Sequence, residues 1–124
     1  MDNYQGVIIE ESLEDKNILA DIKILDTKVE RVVEKDQTPW VKKWTLHTVE
    51  IAEDKADDMA EKIRQALDSK HEWYADFKNE TTDYIIFKNK IFKINRADKA
   101  RYKDAREYGV SIGIPEHQVS FRER

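Results

Sequence analysis

Three histidines, a cluster of carboxylates, two tryptophans and a basic tract are the side chains of this sequence with types suited to binding or reaction. No two of His47, His71 and His117 stand three or four residues apart, and there is no H-E-x-x-H. No helix can therefore present two of them to one metal ion. Separated histidines can still converge through folding. His47 is the most informative, because it falls in a strand where the apolar pattern changes phase. Asp54, Asp57, Asp58 and Glu61 could attract a cation or a basic partner, but a helix start favours such charges by its dipole alone. No metal and no other cofactor is expected.

Gly109-Val110-Ser111-Ile112-Gly113 matches the G-x-S-x-G pattern of a nucleophile elbow. An elbow needs a strand before the serine and a helix after it, and here the order is reversed. Gly109 is better explained as the glycine that ends a helix, so the catalytic residues are unknown. Asn79-Glu80-Thr81 matches a glycosylation sequon and reads more simply as a turn. Trp40 and Trp44 share one face of a strand, where they could stack on a base, a sugar or a partner side chain, or fill the core.

The basic tract is the strongest binding signal. Residues 84–106 hold eight basic and two acidic side chains, a net of +6. Lys88, Lys90, Lys93, Arg96, Lys99 and Arg101 are interleaved with aromatic residues, a pattern that could track phosphates. Against it, the whole chain carries −4 and has a pI near 5.4. Residues 1–60 carry 15 acidic and 8 basic side chains and residues 61–124 carry 11 and 14. The halves are thus opposed in sign, and the tract could face the acidic half within the molecule or across a dimer. There is no glycine-rich phosphate loop, since Gly6, Gly109 and Gly113 are the only glycines.

These residues need a scaffold. At 124 residues, 1–124 is expected to be one domain with one core. Charged residues make up 39% of it, above the usual share of about 25%, so the surface is dense in both signs. Without cysteine there is no disulfide, thiolate metal site or cysteine nucleophile. No stretch approaches the ~20 apolar residues of a membrane span, and the N-terminus has no basic flank or long apolar run. A cytoplasmic protein without a membrane partner is expected.

The stretch from Trp73 to Arg96 organises the rest. Trp73, Ala75 and Phe77 alternate with polar neighbours, as in a half-buried strand. Two further strands, Tyr84 to Lys88 and Ile91 to Asn95, are expected around a turn at Asn89-Lys90. That turn sets Phe87 opposite Phe92 and Ile85 opposite Ile94. Upstream, strands are expected at Gln5 to Leu13, Leu19 to Val33 and Trp40 to Ile51. The second should bulge near Leu25-Asp26 and the third should be irregular near His47-Thr48. Asp54 is expected to cap a helix that ends near Ser69, with Ala56, Met59, Ala60, Ile63, Ala66 and Leu67 as its apolar stripe. A second helix is expected over Asp98 to Tyr108, facing inward through Tyr102, Ala105 and Tyr108. Ile112-Gly113-Ile114 should then be extended, and a helical turn is expected from Pro115. The order is βββα twice: an α+β fold, a mainly antiparallel sheet of about six strands, with the helices on one side.

EESLEDKNIL, HEWYADFKN with YIIFKNKIFKINR, and YGVSIGIPEHQVSF resemble segments of a family of small uncharacterised proteins. The resemblance spans nearly the whole chain and implies no activity, cofactor or site residue.

Three functions are compatible with these residues, in order of support. The first is a non-catalytic domain acting through protein contacts, with a homodimer among its forms. The second is an anion or nucleic-acid binder using the basic tract. The third is a small enzyme with a cleft near the third strand, around His47, Trp44 and Asp76.

Overall fold

The computed structural model describes residues 2–31, 43–71 and 73–114. Within them the strands are β1 (Tyr4–Ile9), β2 (Lys23–Arg31), β3 (Lys43–Ile51), β4 (Tyr74–Lys78), β5 (Thr82–Phe87) and β6 (Lys90–Asn95). Helix α1 (Ala56–Ala66) follows β3 and α2 (Lys99–Ser111) follows β6. The strands make one sheet of order β2-β3-β1-β4-β5-β6, and every neighbouring pair is antiparallel. The α+β fold and the βββα order are as the sequence implies. No helix among the described residues is long and apolar enough to cross a membrane.

The first three strands do not pair in chain order. β3 lies between β1 and β2, whereas β4, β5 and β6 form a simple meander. The two βββα halves therefore share an element order but not a strand order. They join where β1 meets β4, through Gln5↔Lys78, Gly6↔Phe77 and Val7↔Asp76. The strands approach so closely there that a Cβ on residue 6 would lie 2.0 Å from the Asp76 carbonyl oxygen and 2.7 Å from Phe77 Cα. Only glycine fits that position.

Strand alternation splits the core in two. Tyr84 and Ile86 point to the face that α1 covers with Met59, Ala60, Ile63 and Ala66, and Tyr4, Ile8, Val49 and Phe77 join them. Ile85 and Phe87 point the other way and pack with Phe92, Ile94, Tyr102 and Ala105 under α2. The helices therefore take opposite faces, not one side. The apolar run Tyr84-Ile85-Ile86-Phe87 carries the reason, because a strand buried on both faces loses its alternation. On the first face Tyr4, Phe77 and Tyr84 form an aromatic cluster, with Phe77 and Tyr84 stacked at 4.8 Å between ring centres.

Several local expectations hold, and others move for clear reasons. The β2 bulge lies between Ile24 and Asp26, as the phase shift implied. β3 is regular through His47-Thr48, because its two apolar phases serve two faces: Thr45, His47, Val49 and Ile51 are buried, while Trp44, Leu46 and Thr48 are half-buried. β1 ends at Ile9, and its expected tail is a 3-10 turn over Glu10–Ser12. A second 3-10 segment, Lys16–Asp21, replaces the start expected for β2. A third, Glu53–Lys55, precedes α1, so Asp54 does not cap that helix, and α1 stops at Ala66.

The β5–β6 hairpin turns at Lys88-Asn89, so Phe87 faces Lys90 and Ile85 faces Phe92. That register is two residues from the expected one. An even shift preserves the face, so Ile85, Phe87, Phe92 and Ile94 still pack together. Asp98 caps α2 by accepting the Arg101 N–H at 3.2 Å. Gly109 is buried inside α2, and the left-handed residue at its end is Gly113 with φ 104°. Ile112 and Gly113 are therefore a turn and not an extended segment. The strand start at Trp40 and the turn from Pro115 lie outside the described residues.

Gly6→Ala should destabilise the fold by about 3 kcal/mol, at the upper end of overpacking effects because the obstruction is backbone. Thermal melts of the two proteins check this. Equal melting temperatures would mean that β1 and β4 have room to separate.

Candidate functional site

His47 is 7% exposed and sits on the α1 face of β3. Two strands and a turn supply its partners. Thr27 lies opposite it on β2, with Oγ1 2.9 Å from Nδ1, and Glu10 reaches from the turn after β1, with Oε1 3.0 Å from Nε2. An ionised carboxylate can only accept, so Nε2–H donates to Glu10. In the neutral imidazole, Nδ1 then accepts the Thr27 hydroxyl proton. Hydroxyl, imidazole and carboxylate stand in the order of a nucleophile relay.

The neighbouring contact shows what such an arrangement does here. β1 ends opposite Leu46, so Thr45 has lost its partner strand on that side. The Glu11 carboxylate takes the place of the strand, accepting the Thr45 N–H and, at 2.8 Å, the Thr45 hydroxyl. Burial pushes the Glu11 carboxyl up, but these hydrogen bonds from Thr45 outweigh it and hold it below the usual range. Glu10 and Glu11 thus pin one turn to consecutive inward positions of β3. The Thr27–His47–Glu10 chain extends the same fastening to β2.

The three residues set around the expected cleft do not converge. Alternation puts His47 on the α1 face of β3, and Trp44 at the opposite parity. Asp76 pairs with Val7, which in turn faces Thr48, so Asp76 belongs to the face away from His47. Trp44 is half-buried and meets Trp73 edge-on at 6.4 Å. Trp40 and His117 lie outside the described residues. His71 Nδ1 lies 2.8 Å from the Asp68 carboxylate. No group of three metal-ligating side chains occurs among the described residues. A cleft of about 310 Å³ does lie between the Lys16–Asp21 segment and α1, lined by Asp15, Asn17, Ile18, Asp21, Lys62 and Gln65 among others. Neither His47 nor His71 lines it.

The basic tract is distributed over the molecule and does not line one groove. Lys88 donates to the Gln65 carbonyl at 2.8 Å, and Arg64 returns a bond to the Lys88 carbonyl, so the hairpin tip is tied to α1. Lys93 pairs with Asp57 at 3.3 Å, and Tyr84 donates its hydroxyl to the same carboxylate. The bond from Tyr84, and after it that from Lys93, hold the Asp57 carboxyl below its usual range. Arg96 donates to the Asn79 carbonyl at 2.8 Å. Lys90 and Arg101 lie over the Phe92 ring at 4.8 and 5.4 Å, on the α2 side. Lys99 is exposed at the start of α2. Ser111, exposed at the end of that helix, donates its hydroxyl to the Tyr108 carbonyl at 2.6 Å, as a helix-end residue does.

A further surface belongs to none of the sequence motifs. β2 is an edge strand of nine residues, and all nine are exposed. Ile24, Leu25 and Val29 are among the exposed large apolar side chains, Val29 at 58%. The signal was present in KILDTKVER. Charges of both signs at alternating positions beside β-branched residues are how natural edges are kept from uncontrolled pairing.

Comparison with protein-family models, with curated proteins and with solved structures finds no match.

Glu11 supplies a pH test. Its folded value is depressed, so its stabilisation is complete above the ordinary 4.5 and is lost as pH falls through the lower folded value. Glu11→Gln should therefore lose stability at neutral pH and show a flatter fall than the parent as pH drops below 4.5. Urea titrations at a series of pH values measure this. Parallel curves would mean that Glu11 titrates alike in the folded and unfolded chain.

Proposed function

We propose that the chain is one α+β domain that works in the cytoplasm through protein contacts, and that strand addition at β2 makes the contact. A second copy of the chain is the simplest partner. The observation that carries this is the wholly exposed β2 edge. An edge strand offers unpaired backbone donors and acceptors to an incoming strand. Exposed Ile24, Leu25 and Val29 add apolar area beside them. The rest of the molecule is supportive, since the His47 chain fixes β2 to β3 and keeps the edge rigid and presented.

Anion or nucleic-acid binding is the second reading, favoured by Lys90, Lys99 and Arg101, which are all exposed near β6 and α2. It has less behind it. Lys88 and Arg96 are bound to backbone carbonyls and Lys93 to Asp57, on more than one side of the sheet. Fluorescence anisotropy with a labelled oligonucleotide at low salt should show no binding. An affinity that falls steeply with added salt, and is lost in Lys99→Glu/Arg101→Glu, would put this function first.

Analytical ultracentrifugation across a wide concentration range tests the main reading. The parent chain should shift from monomer to dimer with concentration, in the roughly micromolar range expected of a small interface. Val29→Lys should stay monomeric with an unchanged circular dichroism spectrum. A parent chain that is monomeric at the highest attainable concentration overturns self-association.

A further inference from the structure

Resting on that reading of β2 as a docking edge, we infer that two copies pair antiparallel through β2 about a two-fold axis that passes midway between Val29 of one copy and Val29 of the other. The register follows from charge and from the bulge. Facing side chains in an antiparallel pair share a face, so a two-fold perpendicular to the sheet sets each residue opposite one of the same parity. That leaves few registers. One centred on Lys28 sets Lys28 against itself and Asp26 against Glu30, like charges at three places. One centred on Asp26 sets Asp26 against itself. One centred on Thr27 matches Asp26 with Lys28, but it sets Lys23 against Arg31 and includes the irregular stretch between Ile24 and Asp26 in the pairing.

The register centred on Val29 has none of these faults. It uses Thr27 to Arg31, the part of β2 beyond the bulge that pairs regularly with β3. Lys28 meets Glu30 of the second copy, and Glu30 meets Lys28. Within each strand these two already pair at 3.2 Å, so the dimer joins two ion pairs into a ring of alternating charge. On the other face of the sheet, Val29 meets Val29 of the second copy. It is the most exposed of the large apolar residues described, and this contact covers it. Opposite-charge pairs across strands stabilise and like pairs destabilise, so charge selects this register and apolar burial supplies attraction. The product is one continuous sheet of two six-stranded halves.

The absence of cysteine makes a direct test available. Residues directly opposite in an antiparallel pair have Cα atoms about 4.5–5.5 Å apart, within disulfide range. Val29→Cys should therefore give a covalent dimer with diamide, which takes up the two thiol hydrogens as the S–S bond forms. In this register Thr27 is offset from Thr27 of the second copy by four residues, roughly 14 Å, and Thr27→Cys should remain uncrosslinked. Charge exchange gives an independent readout. Lys28→Glu and Glu30→Lys should each weaken the dimer by about tenfold or more, and the double variant should restore it. If the parent dimerises but Thr27→Cys crosslinks in place of Val29→Cys, or the double variant stays dissociated, the register is overturned while edge pairing survives. A parent that never dimerises overturns both.

Discussion

The join between β1 and β4 is the constraint on which the rest depends. Among the described residues three residue pairs join the two halves of the sheet, and the backbones there leave no space for a side chain at position 6. A chain with any other residue there must open the seam, and the aromatic cluster of Tyr4, Phe77 and Tyr84 lies directly over it. Those rings come from three different strands. Close backbone approach and ring packing are therefore one requirement: the rings meet at these distances because the strands do.

Around that seam the molecule is asymmetric. β5 is the wall between two cores and is buried from Asp83 to Phe87, including the carboxylate of Asp83, which accepts the Tyr102 hydroxyl at 3.0 Å. Burial and the Asp83 charge push the Tyr102 phenol up to about 12, so this link between β5 and α2 stays protonated at ordinary pH. At the opposite end β2 is exposed along its length, and carboxylates from one short turn fasten β3 beside it. Glu11 continues the ladder past the end of β1, and Glu10 holds His47 against Thr27. The result is an edge strand, β2, that is fastened to β3 and open along its other side, with exposed apolar and charged residues together.

The elements were legible in the sequence wherever one physical signal dominated. The stripe of α1, the three strands from Trp73 to Asn95 and the β2 bulge each followed from the spacing of apolar residues. The misplacements share a cause. A strand buried on both faces, such as β5, and a strand with apolar residues on a half-buried second face, such as β3, carry patterns that a single-face reading turns into irregularity or the wrong side. The C-terminal glycine was misplaced because Gly109 and Gly113 both suit a helix end, and only the helix length decides between them. The site was less legible still. His47 was marked by type and position, but Glu10, Glu11 and Thr27 lie far from it in sequence, and nothing local links them. Whether a strand is at an edge depends on strand order, which residue spacing does not encode.

The strand order also bears on how the chain reaches this structure as it leaves the ribosome. β1 is an interior strand, and both its neighbours in the sheet follow it in the chain: β3 after the whole of β2, and β4 only after α1, with Gln5 waiting for Lys78. The β4–β5–β6 meander, by contrast, closes through short turns and needs only local contacts. Pairings of long sequence separation form slowly, because the loop must close before any contact rewards it. β1 is thus made well before the strands that secure it, and Ile8 and Ile9 wait through the synthesis of β2, β3 and α1 for the sheet that later covers them.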